Sequence, residues 1–144
     1  GTLHFTSFEA FPMSPAEMAQ AHAAFPMLDD LAGEMRPLWA NLPTIDLPDL
    51  RFRLIVGDAR QTLPSWDGKA DAWFLDGFSP AKNPELWQED LMQAVADHTQ
   101  SEGTAATYSA AGHVRRGLQA AGFRVERAPG YGRKRHMTLA WKGT

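Results

Sequence analysis

One domain is the expectation for 144 residues, and 44% hydrophobic with 22% charged residues is ordinary globular usage, which excludes a disordered, collagen-like or low-complexity chain. With no cysteine there is no disulfide framework, thiolate zinc site, iron–sulfur cluster or thiol nucleophile, and the fit is to a reducing compartment, the cytoplasm. The net charge of −3 hides a division: from His113 onward Arg115, Arg116, Arg124, Arg127, Arg133, Lys134, Arg135 and Lys142 face only Glu126, a basic end on an acidic body that suits a polyanion.

Residues 3–9 alternate apolar and polar side chains imperfectly, as a strand covered on both faces does, and end in Glu9. Ser14-Pro15-Ala16-Glu17 has the N-cap, N1 proline and N3 glutamate of a capping box, which predicts a helix over 15–23. A second helix is expected over 27–39, interrupted by Gly33 and Pro37, and 41–49, with Pro43 and Pro48, reads as a connector. A strand over 51–56 stops at Gly57-Asp58, and another over 71–76 lies between Gly68 and Gly77. The proline-punctuated loop 79–84 leads, with Pro84 at N1, into a helix over 85–98. After a turn at 101–103 come a strand over 104–109, a helix over 111–121 closed by Gly122, and strands over 123–127 and 137–141 joined by a loop.

Repeated β–α alternation implies a parallel sheet with helices on both faces, and a closing pair without a helix implies one antiparallel strand. The fold class is therefore α/β. No run approaches the roughly 18 apolar residues of a membrane span, and residues 1–7 lack the basic and apolar regions of a signal peptide. Gly1 and Thr2 run straight into a strand, so the chain is read as part of a longer domain.

In doubly wound sheets ligands sit beyond the carboxyl ends of the strands. Glu9, Asp58 and Asp76 close three successive strands, each followed by small or aromatic residues able to border a flat ligand, and together they point to a nucleotide-type pocket. Glu9 can accept from both hydroxyls of a ribose. Asp58 can accept from the exocyclic amine of an adenine, while the N–H of Ala59 or Arg60 donates to a ring nitrogen. Asp76 stands where the reactive end of the ligand would point, a helix or loop cap being its structural alternative. The five histidines show no paired metal-ligand spacing, so no metal is expected. The tryptophans read as core, with Trp66 in a loop able to border the pocket.

The run Phe74-Leu75-Asp76-Gly77-Phe78-Ser79-Pro80-Ala81-Lys82-Asn83-Pro84, followed by Gly112-His113-Val114-Arg115-Arg116-Gly117-Leu118 and Gly130-Tyr131-Gly132-Arg133-Lys134-Arg135, closely resembles the methyltransferase domain of the MnmC family, the tRNA 5-methylaminomethyl-2-thiouridine biosynthesis proteins. The resemblance covers nearly the whole chain. It implies an S-adenosylmethionine-dependent methyltransferase with a Rossmann-like sheet, acting on the exocyclic primary amine of 5-aminomethyl-2-thiouridine at the tRNA wobble position. It further implies that Glu9 holds the cofactor ribose, that Asp58 and Ala59 border the adenine, and that Asp76, flanked by Gly77 and Phe78, is the catalytic residue beside methyl donor and amine.

The family's basic loop matches Gly132-Arg133-Lys134-Arg135. With Tyr131 and Lys82 it is expected to meet tRNA, since alternating aromatic and basic residues suit a flipped nucleotide with phosphates on either side. Solvation of a hairpin turn is the plainer alternative. The family's first strand and glycine-rich loop have no counterpart in the chain. That strand would be central, between the Glu9 and Asp76 strands, and cofactor binding is expected to be weak if the 144 residues are the whole protein. An FAD-dependent oxidoreductase, fused or separate, is the implied partner, and no membrane is involved.

Methyl transfer from a sulfonium to an amine is an in-line displacement, so the protein must align two groups and keep the amine neutral. General-base help is worth about 10²–10⁴-fold, whereas orientation supplies about 7–11 kcal/mol. Positioning is expected to outweigh basicity. Two other classes stay open: a methyltransferase acting on another small molecule or a protein, with no use for the basic loop, and a truncated tRNA-binding module without cofactor.

Overall fold

In the computed structural model, which describes residues 1–77, 79–132 and 134–144, the chain divides into two units, Gly1–Thr62 and Leu63–Thr144. The first opens with β1 (Leu3–Glu9) and α1 (Pro15–His22). The capping box forms as expected: the Glu17 N–H donates to Ser14 Oγ at 3.3 Å, and the Ser14 N–H donates to Glu17 Oε2 at 2.8 Å. The hydrogen bonds from the Ser14 side chain and backbone hold the Glu17 carboxyl below its ordinary pKa.

The single helix expected over 27–39 is instead α2 (Asp29–Met35) between 3₁₀ turns at Pro26–Leu28 and Arg36–Asn41. Pro37 has no N–H to give to the preceding turn, so the α ladder cannot run through it. The expected connector contains β2 (Thr44–Asp46), and β3 (Leu50–Val56) is followed by α3 (Ala59–Thr62), a turn of helix that the sequence did not announce. The sheet order is β1-β3-β2, with β1 parallel to β3 from Leu3 opposite Leu50 to Glu9 opposite Val56, and β2 antiparallel. Ile45, Phe52 and Leu54 form the core, packed against Met35, Leu38, Trp39 and Leu42. Each such side chain contributes about 1.5–3 kcal/mol on burial.

The second unit contains β4 (Ala70–Phe74), α4 (Glu89–Asp97), β5 (Thr99–Thr107), α5 (Gly112–Ala120), β6 (Phe123–Pro129) and β7 (His136–Lys142). Its order is β4-β5-β7-β6: β4 and β5 are parallel, and β7 runs antiparallel to both of its neighbours, the closing arrangement expected from the sequence. The turn expected at 101–103 is absorbed into β5 as an irregularity, with Glu102 at φ 61° and a register shift against β4 between Ala70 and Ala72. The helix expected over 85–98 starts late, because Pro84–Trp87 is a 3₁₀ turn and Gln88 is extended before α4.

Leu91, Met92 and Val95 of α4 and Val114 and Leu118 of α5 are buried, and Gly122 follows α5 at φ 95°. Trp66, in a loop read as able to border the pocket, packs edge-on against Trp73 and over His98, the residue before β5. Both β1 and β4 are edge strands of their sheets. Among the described residues no helix is long and apolar enough to cross a membrane.

Candidate active site

In the first unit the carboxyl end of the sheet carries two acids. Glu9 is the last residue of β1, exposed, and its carbonyl accepts from the Gly57 N–H at 3.0 Å, which ties the ends of β1 and β3 together. Glu9 Oε1 accepts from the Phe11 N–H at 2.9 Å, and no other described residue donates to this carboxylate. Gly57 makes the turn into α3 at φ 139°, where a Cβ would stand 2.9 Å from Thr62 Cγ2, so only glycine fits.

Asp58 follows. Its carbonyl accepts from the Gln61 and Thr62 N–H groups at 2.9 Å, and its carboxylate is gripped by Arg60. The Arg60 N–H reaches Asp58 Oδ1 at 2.9 Å, and Nε lies 3.0 Å from each oxygen. The Arg60 side-chain hydrogen bond, then its backbone N–H, pulls the Asp58 carboxyl down to about 2. Of the two N–H groups expected to serve a ring nitrogen, that of Arg60 is therefore spent on Asp58, which leaves Ala59. Arg60 Nη2 also donates to Oδ2 at 2.5 Å, so the roughly four acceptor positions of the carboxylate are all engaged, and an amine would have to displace part of the Arg60 grip.

In the second unit Leu75 extends the β4 ladder by one bond, its N–H donating to the Ala106 carbonyl at 2.9 Å, and Asp76 turns away with its N–H on the Phe74 carbonyl at 3.0 Å. Asp76 is exposed, and among the described residues its carboxylate has no hydrogen-bond or ion-pair partner. The next carbonyl, of Gly77, accepts a hydrogen bond from the hydroxyl of Tyr108, which stands one residue past β5. The Lys134 ammonium lies 5.1 Å from the centroid of the same Tyr108 ring. Tyr108 thus touches both the Asp76-Gly77 turn and the basic loop. The sequence does not single it out, because Tyr108 falls inside the strand expected over 104–109 and only the structure, which ends β5 at Thr107, sets it beyond the carboxyl end.

The basic loop closes by the Gly130 N–H on the Arg135 carbonyl at 3.1 Å and the Lys134 N–H on the Tyr131 carbonyl at 3.1 Å. A Cβ on Gly130 would fall 2.2 Å from the Lys134 carbonyl oxygen, so the closure requires glycine. Tyr131 is 94% exposed at its tip, and Lys134 and Arg135 are exposed. Lys82 is exposed in a turn of the β4–α4 connection, its N–H on the Ser79 carbonyl at 2.8 Å. Phe78 and Arg133 lie outside the described residues.

Not all of the basic end is available to a polyanion. Lys142 Nζ donates to the carbonyls of Ala96 and Thr99 at the end of α4, and Arg124 pairs with Glu126 at 3.7 Å and lies 5.0 Å over the Trp141 ring. A groove of about 540 Å³ opens between the start of α4 and α5, lined by Trp87, Glu89, Asp90, His113 and Arg116 among others. None of the strand-end acids lines it.

The sequence of residues 24–143 matches a family described as S-adenosyl-L-methionine-dependent methyltransferase. The chain belongs to this methyltransferase family. It is 49% identical over 144 residues to the tRNA 5-methylaminomethyl-2-thiouridine biosynthesis bifunctional protein MnmC of Caulobacter sp. (strain K31), covering 96% of this chain and 24% of that protein. It is 40% identical over 149 residues to the MnmC of Chromobacterium violaceum, covering 99% of this chain and 22% of that protein. The chain thus spans about a quarter of the length of the curated relatives it matches. Among solved structures, MnmC2 from Aquifex aeolicus is similar with a TM-score of 0.75 at 32% identity, over 96% of this chain and 43% of that one. A methyltransferase from Pyrococcus furiosus, 17% identical with a TM-score of 0.50, shares the fold.

The cofactor of this methyltransferase family is S-adenosylmethionine. The residues present have the donor and acceptor types that its polar parts require: the exposed Glu9 and half-buried Asp58 carboxylates are acceptors of the kind a ribose or an amine needs, and the backbone N–H of Ala59 is a donor of the kind a ring nitrogen needs.

Proposed function

We propose that this methyltransferase acts in the cytoplasm on tRNA, methylating the exocyclic primary amine of 5-aminomethyl-2-thiouridine at the wobble position, in company with an FAD-dependent oxidoreductase fused to it or separate. The observation that carries the reading is the pair of contacts made by Tyr108, which set the exposed carboxylate turn of Asp76 and the basic loop on one side chain. A methyltransferase for a small molecule has no need of cations there. The relatives, tRNA 5-methylaminomethyl-2-thiouridine biosynthesis proteins 40–49% identical over nearly the whole chain, support the same substrate.

In this reading Glu9 accepts from the ribose hydroxyls, Asp58 and the Ala59 N–H border the adenine, and Gly77 and Phe78 flank the methyl donor. The cofactor supplies a methyl group on a sulfonium, which departs as a neutral thioether. Asp76 accepts the N–H of the substrate amine, aims the nitrogen lone pair and takes the proton released as the N–CH₃ bond forms. Lys82, Arg133, Lys134 and Arg135 neutralise phosphates, and Tyr131 offers a face on which a base stacks.

The test is methyl transfer by the full-length protein to tRNA bearing the aminomethyl group. Asp76→Asn keeps cofactor binding and loses turnover by about 10²-fold or more; unchanged turnover would remove Asp76 from the mechanism. Replacing Arg133, Lys134 and Arg135 together by glutamine weakens tRNA binding and flattens its dependence on salt. An unaltered salt slope would favour a small-molecule or protein substrate instead.

A further inference from the structure

We propose that Tyr108 is a positioning residue for this methyl transfer, holding the turn that carries Asp76 through its hydroxyl while its ring seats Lys134 of the basic loop. The inference rests on the tRNA reading above and deepens it.

The Leu86 and Trp87 side chains lie beside Gly77, 3.4 and 3.5 Å from where its Cβ would stand, but such apolar contacts do not set the direction of the Asp76 carboxylate. After Leu75 the chain leaves the β4 ladder, and no helix or strand begins until the 3₁₀ turn at Pro84. Among the described residues, the hydrogen bond made by Asp76 is that of its N–H on the Phe74 carbonyl, within the same short segment. The hydroxyl of Tyr108 reaches this turn from the end of β5, and it falls on the carbonyl immediately after Asp76.

Tyr108 is itself well founded. The next carbonyl, of Ser109, accepts from Thr138 Oγ1 at 2.6 Å, and Thr138 is fully buried in β7. β7 begins at His136, directly after the basic loop. One buried threonine therefore anchors the base of Tyr108 to the strand that also carries the end of that loop. From this anchor the side chain extends in two directions, its oxygen to Gly77 and its ring to Lys134. A carboxylate that must aim an amine lone pair needs such a support, since a shift of about 1 Å costs about 10²-fold in rate. The Lys134 contact, a cation over an aromatic face at an exposed site, is weak enough for a phosphate to share the ammonium.

The experiment is steady-state methylation of aminomethyl-bearing tRNA by the full-length protein with Tyr108→Phe, which keeps the ring and removes the donor. The expected result is a kcat lowered by about 10- to 100-fold, with KM for tRNA, cofactor affinity and Tm near those of the wild type. Incorporation of p-aminophenylalanine at position 108, which restores an N–H donor at the same place, recovers most of the lost kcat. Should Tyr108→Phe fail to fold, the isosteric p-methylphenylalanine variant compared with the p-amino variant carries the same test. A kcat unchanged without the donor, or a loss that the p-amino group fails to recover, overturns the proposal. Wild-type protein unable to methylate the aminomethyl tRNA would overturn the substrate reading itself, which separates the two failures.

Discussion

Asp58 and Arg60 are two residues apart, and the geometry they adopt, an N–H and a guanidinium both turned back on one carboxylate, is an Asx turn reinforced by charge. The pattern was present in the sequence. The donor to adenine was left open between Ala59 and Arg60 because strand-end position alone does not say which N–H is already committed. The linkage has a definite sign. A folded pKa of about 2, against about 3.9 in an unfolded chain, means that the pair's contribution to stability is present above pH about 4 and is lost as the pH falls toward about 2. Because both side chains are partly exposed, that contribution is small. Arg60→Ala is expected to let the Asp58 carboxyl titrate near its ordinary value, measured by carboxyl-carbon NMR across the acid range. An Asp58 that still titrates near about 2 would show that Arg60 is not the cause. Glu9 and Asp76 were legible for a simpler reason, as acids at strand ends need only the strand to be recognised. Tyr108 was not, since its role depends on where the ring and hydroxyl go after β5 has paired with β4 and β7.

At the scale of elements, periodicity and capping located β1, α1, β3, β4, α5 and the last strand pair, each of which is long enough for its own pattern to show. β2 escaped because three residues between prolines carry no pattern, and only pairing with β3 and the burial of Ile45 make them a strand. The basic end also divides at this scale. Lys142 and Arg124 counted toward a polyanion surface, whereas the fold uses the first to satisfy carbonyls at the end of α4 and the second over Trp141. β7 is the element that makes the candidate site possible, because Thr138 fixes the turn after β5 from inside the sheet. Thr138→Val keeps the shape and deletes the donor, leaving the Ser109 carbonyl unpaired at a cost of about 1–3 kcal/mol. Urea unfolding should show a lower midpoint at an unchanged slope. An unmoved midpoint would mean that the carbonyl finds another partner and that the turn does not depend on Thr138.

Across the whole molecule, β–α alternation made the fold class readable, but the order of strands within a sheet comes from pairing between distant segments and is not written in any local pattern. The pairing leaves β1 and β4 at edges. Natural edges are blunted by charge, proline, bulges or short length. β1 is seven residues long with Leu3 60% exposed, and β4 ends in Phe74, 77% exposed. Such edges are templates for another strand. In the 144-residue chain the amides of β3 and β5, paired on both sides, should exchange slowly with solvent, and the outward amides of β1 and β4 quickly. The same chain should self-associate as concentration rises, and Leu3→Lys with Phe74→Lys should suppress that association in sedimentation velocity, because a charge at an edge opposes strand addition. Slow exchange at the outward amides in a longer form of the protein, with fast exchange in the 144-residue chain, would mark these edges as surfaces that further polypeptide covers. A 144-residue chain that stays monomeric at high concentration, with all four strands equally protected, would instead mean that the outward amides of β1 and β4 are not open to strand addition.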